Sequence, residues 1–329
     1  MTTMFILIPY SSLFFFYLIV SVIIVLSAPN WFMAWIAIEL NLLRFIPLIA
    51  SRKSMQETES SVKYFFAQGI GSVIMLIGVF INLSSAGYLI LVGLLLKLGA
   101  APLHTWFPRV ISGISWPICI ITSTWQKIAP LFTISMITAS FVTPIFVFAS
   151  LSALTGGLIG INQSYLRAIL AYSRITHTGW ILALIPQSLL FMAIYFLIYS
   201  LISISVILLL NKRNALSLSF STLYPLLLFL QLLSLAGLPP LTGFAAKLIA
   251  LSLLAPLSIP LTIIIILGSL LGLYFYLTIR FSTLFSSFLY PNTLSVQFTF
   301  SISLLTIIRL SLFVSLIIFI PFYALIFFD

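Results

Sequence analysis

Glu39 is the one carboxylate of this chain inside a membrane-length apolar run, in Trp31-Phe-Met-Ala-Trp-Ile-Ala-Ile-Glu-Leu-Asn-Leu-Leu. The other acids, Glu57, Glu59 and Asp329, fall in loops or at a terminus. Lys97, Lys127 and Lys247 stand within similarly apolar runs. An ionisable side chain at bilayer depth is costly to insert and is functional by default. Burial disfavours the charged form of an amine, and a neighbouring carboxylate favours it. A lysine switched between those surroundings loads and releases a proton without a cofactor. These residue types point to proton transfer, with Glu39 as a lysine's natural partner.

Each residue also has a plainer reading. A lysine near a span end snorkels to the interface, and Lys247 is the most open to that reading because its span is long. Glu39 could be half of a static ion pair joining two helices. Arg44, five residues on, lies about 140° round the helix near the inner end and reads as a snorkelled side chain. Lys63 follows Glu57 and Glu59 at a span start, so it is either an interface anchor or a relay. His104 lies seven residues after Lys97, with Pro102 between them. His177 sits among hydroxyls in Ser173-Arg-Ile-Thr-His-Thr-Gly-Trp, which could order water. Either histidine could relay protons or be a satisfied interior side chain. Gly156 and Gly160 form a small-xxx-small pattern that suits helix packing, and Trp31 and Trp106 read as interface anchors.

The elements that must position these residues are transmembrane helices. The 329 residues are 62% hydrophobic and 5% charged, with a mean hydropathy of +1.30. A soluble domain carries about 25% charged residues. No stretch alternates as a transmembrane β-barrel strand does, so the class is an all-α polytopic membrane protein. The net charge of +10 comes from scattered basic residues, which argues for topology and against a nucleic-acid surface. One cysteine, Cys119, excludes intrachain disulfides and Cys-ligated iron–sulfur clusters. His104 and His177 leave little for haem or another metal, so no metal or cofactor site is expected. The apolar start from Phe5 to Leu26 is too long for a signal-peptide core and lacks a basic leader; it reads as the first span. The lack of a targeting segment fits synthesis inside the organelle that uses the chain.

Pro, Gly, Asn and charge clusters divide the chain into eleven candidate spans, at about 4–27, 31–50, 60–82, 87–108, 114–139, 142–162, 165–185, 189–210, 222–254, 258–281 and 301–327. Together they form one domain, 1–329, with no soluble portion. With the N-terminus inside, the inner connections hold Arg52, Lys53, Arg109, Arg167, Lys212, Arg213 and Arg280, and the outer ones hold no Lys or Arg. That asymmetry is the positive-inside pattern, which sets the N-terminus on the matrix or cytoplasmic side.

Two spans are expected to be broken. In Leu94-Leu-Leu-Lys-Leu-Gly-Ala-Ala-Pro, Pro102 cannot donate to the Leu98 carbonyl. In Leu235-Ala-Gly-Leu-Pro-Pro-Leu-Thr-Gly-Phe-Ala-Ala-Lys, Pro239 and Pro240 free the carbonyls of Leu235 and Ala236. Broken helices at membrane depth must be buried in protein or line a hydrated cavity, and they recur in ion-coupled transporters. Each break has a lysine nearby, Lys97 before one and Lys247 after the other. The two segments could be halves of an internal repeat.

These stretches, with Trp31 to Pro47, Glu59 to Phe66, Lys97 to Pro108, Thr124-Trp-Gln-Lys-Ile-Ala-Pro, Asn162 to Trp180 and Leu235 to Lys247, carry a resemblance. The chain resembles the subunit 2 family of mitochondrial NADH:ubiquinone oxidoreductase (respiratory complex I), a family of antiporter-like membrane subunits. The resemblance covers about 31–250; residues 251–329, the C-terminal helices, match in hydropathy alone. It implies a fourteen-helix antiporter fold lacking its first three helices, in the inner mitochondrial membrane. It implies that Glu39 pairs with Lys97, and that Lys127 continues a hydrated axis toward Lys247. It implies no cofactor in this chain, with NADH, flavin, iron–sulfur clusters and ubiquinone in other subunits. The implied partners are other complex I membrane subunits, antiporter-like neighbours above all, together with membrane lipids, and no nucleic acid. Two positions depart from the family: Arg109, where some relatives have an acid after the proline, and Arg174, an unusual charge beside His177. The rival readings are a free-standing cation/proton antiporter and a purely structural subunit whose charges are helix glue.

Overall fold

The computed structural model of the protein describes residues 9–52, 54–81, 86–213, 223–239 and 241–289. The eleventh expected span, 301–327, lies outside them, as do Lys53 and Pro240. All regular elements among the described residues are helical. In chain order they are α1 (Pro9–Ser27), α2 (Trp31–Ile49), α3 (Met55–Phe80), α4 (Ala86–Leu98), α5 (Trp106–Gly113), α6 (Trp116–Ser123), α7 (Trp125–Ile137), α8 (Val142–Ile161), α9 (Leu166–Leu184), α10 (Leu189–Arg213), α11 (Leu223–Ala236), α12 (Thr242–Leu254) and α13 (Ile259–Leu289). Five of them, α2, α3, α8, α10 and α13, are each long and apolar enough to cross a membrane alone. The shorter α4, α11 and α12 are apolar pieces of 10–17 residues, which need a second piece to complete a crossing.

Element ends follow local chemistry. Ser54 caps α3 by accepting the Glu57 backbone N–H at 3.3 Å, a serine-to-glutamate spacing that suits a capping box. That moves the helix start to Met55, ahead of the expected residue 60. The outward faces are apolar: Phe16, Phe66, Leu158, Leu197 and Leu270 are all exposed. Such a surface suits lipid and would aggregate in water.

The inside of the bundle carries the polar groups. From Ser173 to Ile185 every residue of α9 and its C-cap is buried. An all-round buried helix sits at the centre of its bundle, so Arg174, His177 and Thr178 face protein on every side. α9 packs most closely on α8, and their backbones meet. A Cβ on Gly156 would stand 2.7 Å from the Thr176 nitrogen, and one on Gly179 would stand 2.7 Å from the Ala149 oxygen. Gly160 faces the Phe275 ring of α13. The expected small-residue packing is present here.

Candidate functional site

Three interruptions of helix shape the site. α4 ends at Leu98, where Gly99 takes φ +71°. The Gly99 N–H donates to the Leu96 carbonyl at 3.0 Å, and the Ala100 N–H donates to that of Leu95 at 3.1 Å. α11 ends the same way at Ala236, with Gly237 at φ +80°. Gly237 donates to Ser234 at 3.1 Å and Leu238 to Leu233 at 3.3 Å. Both pairs of bonds are Schellman caps, which use a glycine in the left-handed region to end a helix. The breaks therefore begin at Gly99 and Gly237. Pro102 and Pro239, expected to cause them, follow the caps and prevent the helix from resuming; Pro240 lies outside the described residues.

The third interruption was not expected. The span at 114–139 is divided at Thr124, whose backbone turns to φ −114°, ψ −72°. The Ser123 and Thr124 hydroxyls donate back to Cys119 and Ile120 carbonyls at 2.7 and 2.8 Å, competing for the acceptors that hold a helix straight. Pro130 removes a further backbone donor within α7. Lys127 follows this break directly. Each of the three buried lysines is thus beside a helix interruption.

Lys97 and Lys127 share a cavity. It measures about 20 Å³ and is lined by both lysines with Tyr64, Gln68, Thr122 and Gln126 among the polar walls. One water needs roughly 10–15 Å³ and two to four polar partners, so the cavity suits a water between the amines. The Lys97 stem lies against the α3 backbone, where a Cβ on Gly71 would come within 2.9 Å of Cγ. Gln68 donates to the Lys97 carbonyl at 3.1 Å, and Trp106 donates to that of Leu96 at 3.0 Å. The Gln68 bond satisfies a carbonyl that the break leaves free, and the Trp106 bond is a second one to the carbonyl that already accepts the Gly99 N–H.

Glu39 reaches this cavity electrostatically. Its charge acts on Lys97 and on Tyr64, yet the carboxylate and the ammonium form no salt bridge, and Glu39 Oε2 and Lys97 Nζ are both buried without a hydrogen-bond partner. The close pairing implied by the resemblance is thus not formed in this structure. A side-chain chain runs alongside. Tyr64 donates to Gln126 Oε1 at 3.4 Å, and Gln126 Nε2 donates to Asn41 Oδ1 at 3.1 Å. It ties the Glu39 helix to the residue preceding Lys127.

Between Lys127 and Lys247 stands an aromatic group centred on His177. Lys127 Nζ lies 6.0 Å from the Tyr199 ring centre and 5.2 Å from that of Phe107. The Tyr199 and His177 rings are 4.7 Å apart. His177 Nδ1 is 3.0 Å from the Tyr195 hydroxyl, and Tyr195 stacks on Trp180 at 6.1 Å. Lys247 Nζ lies 5.9 Å from the Trp180 ring centre and donates to the Ala236 carbonyl at 2.5 Å. Both lysines act electrostatically on His177. The order from α2 to α12 is Glu39, Lys97, the cavity, Lys127, Tyr199, His177, Tyr195, Trp180, Lys247.

A family model described as NADH:quinone oxidoreductase/Mrp antiporter, transmembrane, matches residues 28–89 and 79–273. NADH-ubiquinone oxidoreductase chain 2 of Anopheles gambiae is 40% identical over 295 residues, covering 83% of this chain and 85% of the relative. That of Lumbricus terrestris is 38% identical over 286 residues, covering 81% and 84%. The chain belongs to the NADH-ubiquinone oxidoreductase chain 2 family. It is accordingly a multi-pass protein of the mitochondrial inner membrane. A chain of respiratory complex I from Thermus thermophilus matches the fold with a TM-score of 0.77, at 22% identity, covering 93% of this chain and 77% of that one. The antiporter-like fold of the family is thus present.

Within this chain 2 fold the remaining expected residues fall elsewhere. Lys63 pairs with Glu59 at 2.6 Å, with side chains 43% and 65% exposed, away from the cavity. His104 is buried on the turn between α4 and α5, with Nδ1 unpartnered and its ring 6.3 Å from that of Tyr172; it is not a wall of the cavity. Arg44 lies over the Tyr17 ring at 4.6 Å. Arg109 is exposed, whereas Arg174 is 3% exposed. Sequence reasoning missed Tyr64, Gln68, Gln126, Tyr195 and Tyr199. Gln126 was within reach, since a second polar residue adjoins Lys127 in an apolar span. The two tyrosines of α10 carried no such signal in a helix rich in aromatic and hydroxyl residues.

Proposed function

We propose that this chain is a core membrane subunit of the H+-translocating NADH:ubiquinone oxidoreductase, moving protons along a buried axis while electrons travel in other subunits. Glu39 is the input. A change in its interaction with Lys97, driven from neighbouring subunits, alters how firmly Lys97 holds a proton. The proton then passes through the shared cavity to Lys127, and by Tyr199, His177 and Tyr195 toward Lys247. The observation that carries this reading is the cavity walled by both Lys97 and Lys127. An amine, a water and a second amine in sequence are what a proton needs to hop between helices. Eleven spans in one domain, an N-terminus on the matrix side, and contacts to antiporter-like subunits and lipid complete the proposal.

His104 and Lys63 are kept as side relays at most, because neither borders the cavity. The chain itself holds no redox group in this reading; NADH, flavin, iron–sulfur clusters and ubiquinone belong to its partners. Native gel migration with an NADH-oxidation stain tests the assembly: a large NADH-oxidising band containing this chain is expected. A small free species would favour the antiporter reading instead. Lys127→Met in the assembled complex tests the path, with fewer protons moved per NADH oxidised as the expected result and an unchanged ratio as the contrary one.

A further inference from the structure

Arg109, one of the two positions at which the chain departs from its family, has no use in the proton path. It is exposed together with Thr105 and Ser112, on the outward side of α5 and its N-cap, while Phe107, Pro108, Val110 and Ile111 of the same helix are buried. Among the described residues no hydrogen bond or ion pair engages its guanidinium. A second arginine is fixed beside it. Arg167, near the start of α9, donates from Nη1 to the Ser112 carbonyl at 3.0 Å and lies 4.7 Å over the ring of Trp116, the first residue of α6. The Ser112 hydroxyl donates in turn to the Arg109 carbonyl at 2.8 Å. Residues three apart on a helix are neighbours on its surface, with Cβ atoms about 5–6 Å apart. Arg109 therefore flanks the residue that Arg167 grips. Of the N–H donors that each guanidinium offers, Arg167 has committed one to protein and Arg109 none.

No carboxylate neutralises this pair. The sequence has none between Glu59 and Asp329. α3 packs on α5 and brings two acids, of which Glu57 is buried and Glu59 is bound to Lys63 at 2.6 Å. The surroundings are those of a headgroup layer. Both arginines belong to the side on which the basic connections gather. Trp116 is half-buried beneath the Arg167 guanidinium, and Tyr165, two residues before Arg167, is 77% exposed. Tryptophan and tyrosine collect where the membrane meets water, and basic pockets between transmembrane helices take anionic headgroups. A guanidinium holds a phosphate through two parallel N–H bonds. Two of them, on neighbouring helices, suit a ligand with two phosphates.

We propose that Arg109 and Arg167 form a binding site for an anionic phospholipid with two phosphates, diphosphatidylglycerol, seated where α5, α6 and α9 meet the membrane surface. One phosphate lies on each guanidinium, and Trp116 and Tyr165 flank the headgroup. The site is independent of the proton path and would stand if no proton crossed this chain. Because Arg109 stands where some relatives carry an acid, the site belongs to this chain and not to the family as a whole.

The test uses the intact assembly in its own membrane, supplied with subsaturating diphosphatidylglycerol that carries a photoreactive group beside its headgroup. After illumination, labelled peptides are mapped, with label expected on segments 105–116 and 162–170. A basic side chain near the membrane surface changes occupancy by a factor of about five. Arg109→Gln should cut labelling of these segments by about that factor, Arg109→Glu should cut it further, and Arg109→Lys should keep most of it. Arg109 is exposed, so its variants should assemble as the native chain does. Labelling in Arg109→Glu equal to that of the native chain overturns the proposal. Equal labelling by a phosphatidylglycerol probe, which has one phosphate, overturns it too, as does displacement of the lipid by inorganic phosphate, which would mark a site for the free ion. An Arg109→Glu assembly that keeps its label but sheds a neighbouring subunit would overturn it in favour of an acidic protein partner.

Discussion

Lys97 and Lys127 border one water-sized cavity from different helices, each beside an interruption in its own helix. Neither break is a passive defect. The first frees the Lys97 carbonyl, which Gln68 then satisfies, and Trp106 braces the same turn through the Leu96 carbonyl. The second sets the start of α7 next to the same space. The apolar residues Phe107, Val110 and Ile111 complete the lining, so the polar groups supply the chemistry of the cavity.

Gln126 joins Asn41 and Tyr64 at this cavity. Gln126→Leu leaves the Asn41 oxygen without its donor and removes the acceptor of Tyr64. An unsatisfied buried polar group costs about 1–3 kcal/mol, so the variant should assemble less completely or melt earlier. In the complex that does form, proton movement per NADH should fall, because the cavity loses a polar wall. Thermal inactivation and pumping of purified complex measure the two effects separately.

Tyr195→Phe removes the hydroxyl 3.0 Å from His177 Nδ1 while keeping the ring that stacks on Trp180. The expected loss of stability is about 1 kcal/mol, with assembly retained and slower pumping at unchanged NADH oxidation in uncoupled membranes. His177→Phe should slow pumping more than Tyr195→Phe, since it removes the group between the two lysines. Equal pumping in all three proteins would take His177 off the path.

Gly237→Ala sets a side chain where the backbone is at φ +80°, a conformation that costs a residue with a Cβ about 1–2 kcal/mol. The added Cβ would also lie 2.8 Å from Lys247 Cδ and 3.0 Å from its Nζ. Both the helix cap and the Lys247 bond to Ala236 are disturbed together. Reduced assembly is expected, with lower protons per NADH in what remains. A fully active, fully assembled Gly237→Ala complex would show that the cap is dispensable.

Much of this arrangement is legible in the sequence, and the physics explains what is not. Glu39, Lys97, Lys127 and Lys247 announce themselves because charge is expensive in an apolar run. The breaks near Pro102 and Pro239 are visible because proline lacks a donor, although the helices end earlier, at the glycines that take positive φ. The Thr124 break is hidden, because hydroxyls bonding back to carbonyls are common in intact helices as well. Tyr199 and Tyr195 are hidden for another reason. Which residues of α10 face His177 depends on how α10 rotates against α9, and a helix of mixed apolar and hydroxyl residues does not fix that rotation.

Lys63→Ala serves as the contrasting case. Its bridge to Glu59 is an exposed pair on one helix face, worth about 0.3–0.5 kcal/mol. Assembly and pumping should both stay within error of the native complex. A pumping defect at full assembly would bring Lys63 into the path.

The most direct test of a single path through Lys97 and Lys127 is the proton-to-electron ratio of Lys97→Met, Lys127→Met and the double variant, compared at equal rates of NADH oxidation. Two groups in series on one route should give the same loss singly and together, with the double variant no worse than the worse single. Losses that add in the double variant, or an unchanged ratio in either single one, would contradict the account.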